Sequence, residues 1–396
     1  MAVQVLPEKL LQSLQDVPGF DKVSFQRVHE SGEQVTSVRF NPSKFSGDVN
    51  AVFEGAIKIP WSSFGYYLPE RPSFTLDPLL HAGAYYVQEA SGMFLEYCIK
   101  QCADISGSIK VLDLCAAPGG KSTVIQSLIS NESLLVSNEV IKPRVNILSE
   151  NMIKWGGENT VVTNNDPRDF SRLRHFFDVI VVDAPCSGSG LFRKDPWAID
   201  EWSEELVNTC SLRQQRILGD VLPALKPSGI LIYSTCSYSE KEDEDICDWL
   251  TDEGKLSSVP IAVPSGWNIT PSYSRKNGVK GFRFYPNKIM GEGFFIACFK
   301  KEKEEEAERM NYKQKLTRLS AKEEVIIHPL LKKPGKFRFY HLDAGAFAFP
   351  ETLEHELIAI TASLYVKRAG VLCGKPAHES FIPDHELARS TIINDK

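Results

Sequence analysis

Between residues 109 and 235, short runs of aliphatic and β-branched residues alternate with longer helix-compatible stretches. The runs are Ile109-Lys-Val-Leu-Asp-Leu, Leu134-Leu-Val-Ser, Thr160-Val-Val-Thr, Asp178-Val-Ile-Val-Val-Asp and Gly229-Ile-Leu-Ile-Tyr-Ser. Helical patterns fill the intervals over Lys121 to Ile129, Lys142 to Trp155 and Thr209 to Leu222, and a further one covers Glu242 to Leu250. Asp178 to Asp183 is apolar between its two end carboxylates, as expected of a strand buried on both faces. Strands separated by helices at this spacing predict an α/β, doubly wound, Rossmann-like parallel sheet that binds its ligands beyond its carboxyl edge.

With 396 residues the chain exceeds one ordinary core, so flanking domains are expected. Gly293-Phe-Phe-Ile-Ala-Cys-Phe predicts a closing strand, and the Lys/Glu-rich run after it reads as an exposed linker. The resulting division is 1–100, a leading domain; 101–300, the α/β core; 301–310, the charged linker; and 311–396, a tail domain. The net charge of −6 does not suggest a polyanionic ligand, but its distribution is uneven. Residues 311–396 sum to +3, against −9 for the remainder, and include Lys332, Lys333, Lys336 and Arg338 in one stretch. No apolar run reaches the ~20 residues of a membrane span, and the first residues lack a secretory pattern, so a cytoplasmic protein with no membrane partner is expected. Nine scattered cysteines without paired metal-ligand spacing predict reduced thiols and no metal site.

The turn after the first strand, Asp113-Leu-Cys-Ala-Ala-Pro-Gly-Gly-Lys121, has adjacent glycines that allow close backbone approach ahead of a helix. It is neither a nicotinamide fingerprint nor a phosphate-cradling loop. Asp113, Glu139, Asp166 and Asp183 close four successive strands, where carboxylates can meet ribose hydroxyls or an adenine amino group. An adenosine-containing ligand is therefore expected, and S-adenosylmethionine is favoured over a nucleoside triphosphate.

Cys186 and Cys236 follow the fourth and fifth strands and belong at the same sheet edge. A thiolate there suits cytosine chemistry, because carbon-5 is a poor nucleophile until a thiolate adds at carbon-6. Asp183 is placed to hold the ring near N3 and its amino group. A base bound this deeply must be flipped or unpaired. Methylation of the exocyclic amine instead favours an Asp/Asn-Pro-Pro-aromatic turn, unlike Asp183-Ala-Pro-Cys. This reasoning leaves open which cysteine attacks.

Four stretches together resemble the Sun/Fmu family of RNA cytosine-5 methyltransferases, particularly its RsmF-like small-subunit rRNA branch. They are Asp113 to Ser122, Asn138 to Arg144, Asp183-Ala-Pro-Cys-Ser-Gly188 and Ser234-Thr-Cys-Ser237. The resemblance implies that Cys115, Ala116, Ala117, Pro118, Gly119, Gly120, Lys121, Glu139 and Arg144, with Asp166 and Asp183, hold S-adenosylmethionine. It makes Cys236 the nucleophile, gives Cys186 a part in product release, and adds Asp183 and Lys121 to the catalytic set. Cys236 in the Thr-Cys-Ser motif also separates the pattern from DNA enzymes, so RNA is the expected partner: 16S rRNA in the 30S subunit, bound by a monomer. A tRNA or 23S rRNA enzyme, or a noncatalytic ribosome-assembly factor, are the competing readings.

Outside the core, Phe74 to Ser91 resembles a segment that closes over the cofactor, and Arg39 to Lys44 the end of a leading strand in an RNA-gripping N-terminal domain. Arg283 to Lys288 resembles the penultimate motif, with Asn287 where relatives commonly have histidine. Phe381 to Ala388 resembles a C-terminal, PUA-like RNA-binding domain. Arg193 and Lys194 are candidate phosphate contacts, and Trp197, Trp202 and Trp249 candidates for base stacking or packing.

Overall fold

The computed structural model describes residues 5–302, 312–313, 316–342, 344–377 and 380–394. At the N-terminal end β1 (Thr36–Phe40), β2 (Ile57–Lys58), β3 (Gly65–Leu68) and β4 (Tyr85–Val87) pair antiparallel in the order β2-β3-β1-β4. Phe40, Phe74 and Tyr85 fill a small core beside this sheet. The two preceding helices, Glu8–Ser13 and Lys22–Glu30, pack Leu10, Leu14 and Phe25 against Phe192, Trp202, Tyr238 and Tyr285. They buttress the loops that leave the central sheet near Cys186 and Cys236.

The central strands are β5 (Lys110–Asp113), β6 (Leu134–Asn138), β7 (Thr160–Thr163), β8 (Phe177–Asp183) and β9 (Leu225–Thr235). They run parallel in the order β7-β6-β5-β8-β9, so the chain reverses its direction of winding between β5 and β8. A crevice opens at such a switch point beyond the strand ends. Val179 to Val182 are at most 2% exposed, as the apolar run predicts. Fully burying each such side chain contributes roughly 1.5–3 kcal/mol. The helix Lys142–Trp155 occupies the predicted residues: Pro143 suits its first turn, and Gly156 at φ +89° ends it.

Beyond β9 the sheet turns antiparallel. The further strands are β10 (Leu256–Ser258), β11 (Thr270–Tyr273), β12 (Lys280–Phe284) and β13 (Phe294–Lys301). β13 pairs with β9, β12 with β13 and β11 with β12, while β10 pairs with the far end of β13. The closing strand thus extends to Lys301, and residues 303–310 of the expected linker lie outside the described residues.

The C-terminal strands are β14 (Phe337–Leu342), β15 (Gly345–Pro350), β16 (Val366–Ala369), β17 (Val371–Ala377) and β18 (Ser380–Pro383). Four make a small antiparallel sheet, β14-β15-β17-β18, whereas β16 pairs with β7 and caps that edge of the central sheet. Tyr340, Phe347, Leu357 and Ile360 share one apolar core with Leu112, Val136 and Ile180. The tail is therefore packed into the central core. Among the described residues no helix is long and apolar enough to cross a membrane.

Candidate active site

The turn after β5 folds over its own strand end. Gly119 takes φ +114°, a conformation a side chain would oppose, and donates its N–H to the Ala116 carbonyl (2.8 Å) before starting the helix Gly120–Gln126. Asp113 lies beneath this turn, fully buried, and accepts a hydrogen bond from Ser122 Oγ (2.7 Å). Its other oxygen has no hydrogen-bond partner. Burial pushes the Asp113 pKa up to about 7, opposed by Ser122 and Lys121 and reinforced by Asp183 and Glu139.

With the folded pKa above the unfolded value, the native state holds the extra proton. Stability through this group therefore falls as pH rises from about 4 to about 7. In Asp113→Asn that decline is removed, so its Tm relative to wild type should rise across the window. A constant difference would contradict this assignment.

Two cavities flank the turn and share Cys115. The first, about 300 Å³, is lined by Leu114, Cys115, Glu139, Ile141, Arg144 and Pro167, among others. Glu139 is buried; one carboxylate oxygen accepts from the Ile141 N–H (2.9 Å) and the other faces Arg144 Nη1 at 3.3 Å. Arg144 also donates to the Ala117 carbonyl (2.7 Å), linking the ends of β5 and β6. Asn138 closes the base of this cavity by donating to the Leu114 and Asn165 carbonyls. Asp166 caps the turn Pro167–Arg172, and its carboxylate faces Arg168 and Arg216 at 3.8 and 3.7 Å; Pro167, not Asp166, reaches the cavity wall.

The second cavity, about 380 Å³, is bounded by Ala116 to Pro118, Gly120, Lys121, Asp183, Cys236 and Phe294, with Tyr86 to Glu89 and Glu292 on the N-terminal side. Lys121 Nζ lies 2.6 Å from Asp183 Oδ2 and 5.0 Å from the centre of the Phe294 ring, while Ser234 Oγ donates to Asp183 Oδ1 (2.8 Å). Burial works against the Lys121 charge, but Asp183, with Asp113 and Cys236, outweighs it and holds the ammonium pKa above its ordinary value.

Because β8 and β9 pair with Asp183 opposite Ser234, the turns after both strands leave the sheet side by side. Cys186 Sγ and Cys236 Sγ are 3.0 Å apart, unbonded, and close enough to share a thiol proton. Contact with Cys236 comes first among the causes that push the Cys186 pKa well up, followed by burial and by the charges of Cys236 and Glu242. Gly190 donates to the Cys236 carbonyl (2.8 Å) and accepts from Gly293 (3.1 Å); a Cβ on Gly190 would sit 2.7 Å from the Cys236 oxygen. This close backbone packing fixes the height of the Cys236 turn.

Residues 104–300 match the family described as 16S rRNA methyltransferase RsmB/F, and residues 6–90 match the N-terminal domain of 16S rRNA methyltransferase RsmF. The chain belongs to the RsmB/F family. Relatives include proteins named ribosomal RNA small subunit methyltransferase F from Pectobacterium atrosepticum, 36% identical over 61% of this chain, and from Shewanella woodyi, 36% identical over 67%. The chain spans about half the length of these relatives, 50% and 57% respectively. Among solved structures, a methyltransferase homolog protein from Pyrococcus horikoshii is 27% identical with a TM-score of 0.60, covering 75% of this chain and 100% of that one. NSun6 from Pyrococcus horikoshii with SFG shares the fold at 18% identity, with a TM-score of 0.63, over 76% of this chain and all of that one. S-adenosylmethionine is the cofactor of this family, and the two cavities that share Cys115, lined by carboxylates and small residues, fit it.

The RsmB/F core thus brings Cys115 to Lys121, Glu139, Arg144, Asp183, Cys186 and Cys236 to one edge of the sheet. Other residues named from sequence serve the scaffold. Arg39 is 1% exposed; it donates to Gln88, Thr123 and Ser127 and stacks over Trp155, so it joins the N-terminal sheet to the core. Lys44 is spent on the carbonyls of Ala82, Lys154 and Arg389. Arg193, a candidate phosphate contact, is instead buried against Glu292 and the Glu33 carbonyl. Asn287 donates to Ser24, and Trp202 packs in the N-terminal core, while Trp197 is exposed.

Sequence reasoning missed Glu242, Gln214 and Glu292. Glu242 is fully buried under both cysteine turns, although it stands in an acidic run resembling a solvated helix start. The only signal was its position six residues after Cys236. Glu292 lines the second cavity with one carboxylate oxygen unpartnered.

Proposed function

We propose that this chain methylates carbon-5 of cytosine in RNA, with 16S rRNA of the small ribosomal subunit as its target. The observation that carries this is the Cys186/Cys236 pair, sulfurs 3.0 Å apart, at a cavity that also holds the Lys121–Asp183 ion pair and shares Cys115 with the other cavity beside the turn. Bound S-adenosylmethionine supplies an electrophilic methyl group. Cys236, as the thiolate, adds to carbon-6 of a flipped cytosine and makes carbon-5 nucleophilic. Asp183, oriented by Lys121 and Ser234, accepts a hydrogen bond from the cytosine amino group. After methylation a base takes the carbon-5 proton, the carbon-6–sulfur bond breaks, the ring double bond is restored and Cys236 leaves as the thiolate, a release that Cys186 assists.

In this reading Glu139 and Arg144 hold the ribose end of the cofactor, the Cys115 to Lys121 turn its methionine end, and Asp166 stands near the adenine. Residues 1–100 and 311–396 grip RNA, the latter as a PUA-like module, around a catalytic domain at 101–300 with a linker at 301–310. The protein acts as a cytoplasmic monomer.

Glu139→Ala removes a charged acceptor from the cofactor cavity and should weaken S-adenosylmethionine binding by about 10–100-fold, read by titration calorimetry. Unchanged affinity would remove Glu139 from the site. The function itself is tested by incubating the protein and a labelled methyl donor with unmodified 30S subunits, naked 16S rRNA, 50S subunits and tRNA. Transfer to 30S subunits or 16S rRNA is expected. Transfer only to tRNA or 50S subunits would overturn the target, and no transfer by folded, cofactor-bound protein would overturn the enzymatic reading.

A further inference from the structure

We infer that Glu242 sorts the two cysteines into their roles: its carboxylate, lodged beneath the Cys186 turn, keeps that sulfur a thiol directed at Cys236, which is left to carry the negative charge. Glu242 Oε1 accepts from the Ser187 N–H (2.7 Å) and Gln214 Nε2 (3.4 Å); its Oε2 accepts from Ser187 Oγ and Ser237 Oγ, each at 2.6 Å. Ser187 and Ser237 each directly follow one of the two cysteines. The side chain is 0% exposed. Four hydrogen bonds converge on the carboxylate, a set that favours the ionised acid. Burial nevertheless raises the Glu242 pKa, and the hydrogen bonds pull against that rise.

The arrangement is asymmetric. Ser187 is held by Glu242 through both its N–H and its hydroxyl, whereas Ser237 gives Glu242 only its hydroxyl and turns its N–H to Thr235 Oγ1 (3.2 Å). Cys236 lines the cavity that contains the Lys121 ammonium; Cys186 is not among that cavity's lining residues. One sulfur thus shares a cavity with a cation while the other feels the Glu242 charge, and the two sulfurs are 3.0 Å apart. A single shared proton rests on the anion side, and the thiolate on the cation side. Neighbouring Asp243 and Glu244 are engaged by Arg283. Glu242 is in this sense a positioning residue acting through the cysteines.

The names of the two roles rest on the methyltransfer reading, but the charge assignment does not, and alkylation can test it without RNA or cofactor. Limiting iodoacetamide on the folded protein, followed by peptide mass spectrometry, should label Cys236 faster than Cys186 by roughly tenfold. In Glu242→Gln that preference should collapse, with Cys186 labelled several-fold faster, while Glu242→Asp and Ser187→Ala, which keep the charge, should retain the wild-type preference. Lys121→Met removes the opposing cation and should slow Cys236 labelling several-fold, which keeps the test available if Glu242→Gln does not fold. Wild-type preference in Glu242→Gln, equal loss of preference in Ser187→Ala, or unaltered Cys236 labelling in Lys121→Met would overturn the inference.

Discussion

Cys236→Ala should abolish methyl transfer, lowering kcat on the order of 10⁴-fold or more, and should form no covalent complex with RNA. The loss is large because the other groups at the cavity are poor nucleophiles: burial, then the charges of Asp113, Glu139 and Asp183, push the Cys115 pKa well up and keep it a thiol. Lys121 Nζ is held as an ammonium against Asp183, and Cys186 is a thiol held in contact with Cys236. Cys186→Ala should behave differently. Addition and methylation proceed, release is slowed, and a protein–RNA adduct stable to denaturing electrophoresis accumulates through Cys236. The opposite pattern, with an adduct in Cys236→Ala and none in Cys186→Ala, would exchange the two roles. The sequence alone left this choice open; the contrast between the Lys121 and Glu242 sides supports the order implied by the resemblance.

Arg283→Ala should lower stability by about 3–5 kcal/mol, because it strands two buried carboxylates. Arg283 is 1% exposed on β12. Its Nε donates to Glu244 Oε1 (2.7 Å), Nη1 donates to the Tyr238 carbonyl (2.9 Å), and Nη2 pairs with Glu244 and lies 3.2 Å from Asp243. It thereby ties an antiparallel strand to the segment running from Cys236 to the helix Glu244–Asp252. Urea unfolding should show a reduced midpoint with little change in m. The additional substitutions Asp243→Asn and Glu244→Gln should recover part of the loss by removing the stranded charges. A near-neutral Arg283→Ala would contradict the buried ion-pair account.

Much of the central sheet is legible in sequence because its signals are local. Thr160–Thr163 and Lys142–Trp155 are bounded by Gly, Pro and capping residues, and the apolar run of β8 admits only a buried strand. Other local signals were present but underread. Ser203 caps the helix Glu204–Val221 by accepting from the Leu206 N–H (3.1 Å), which starts that helix five residues before the expected Thr209.

What local pattern does not carry is pairing between distant segments. β16 meets β7 across some two hundred residues, with an irregular register, and nothing in Val366–Ala369 names its partner. The site divides the same way. Asp113, Glu139 and Asp183 declare themselves as carboxylates at strand ends, but Arg39 and Arg283, which open motif stretches, and Arg193, a candidate phosphate contact, show their scaffold role only through their buried partners. Glu242 is the sharpest case, because burial, which gives it meaning, comes from Ser187, Gln214 and Ser237 on three different elements.

The central claim is that the paired thiols direct a methyl group to carbon-5 of cytosine. Unmodified small subunits incubated with the wild-type protein and S-adenosylmethionine, digested to nucleosides and analysed by mass spectrometry, test it most directly. The account predicts 5-methylcytidine in the 16S rRNA, lost in Cys236→Ala; methylation on the exocyclic N4, or 5-methylcytidine formed equally well by Cys236→Ala, would contradict it.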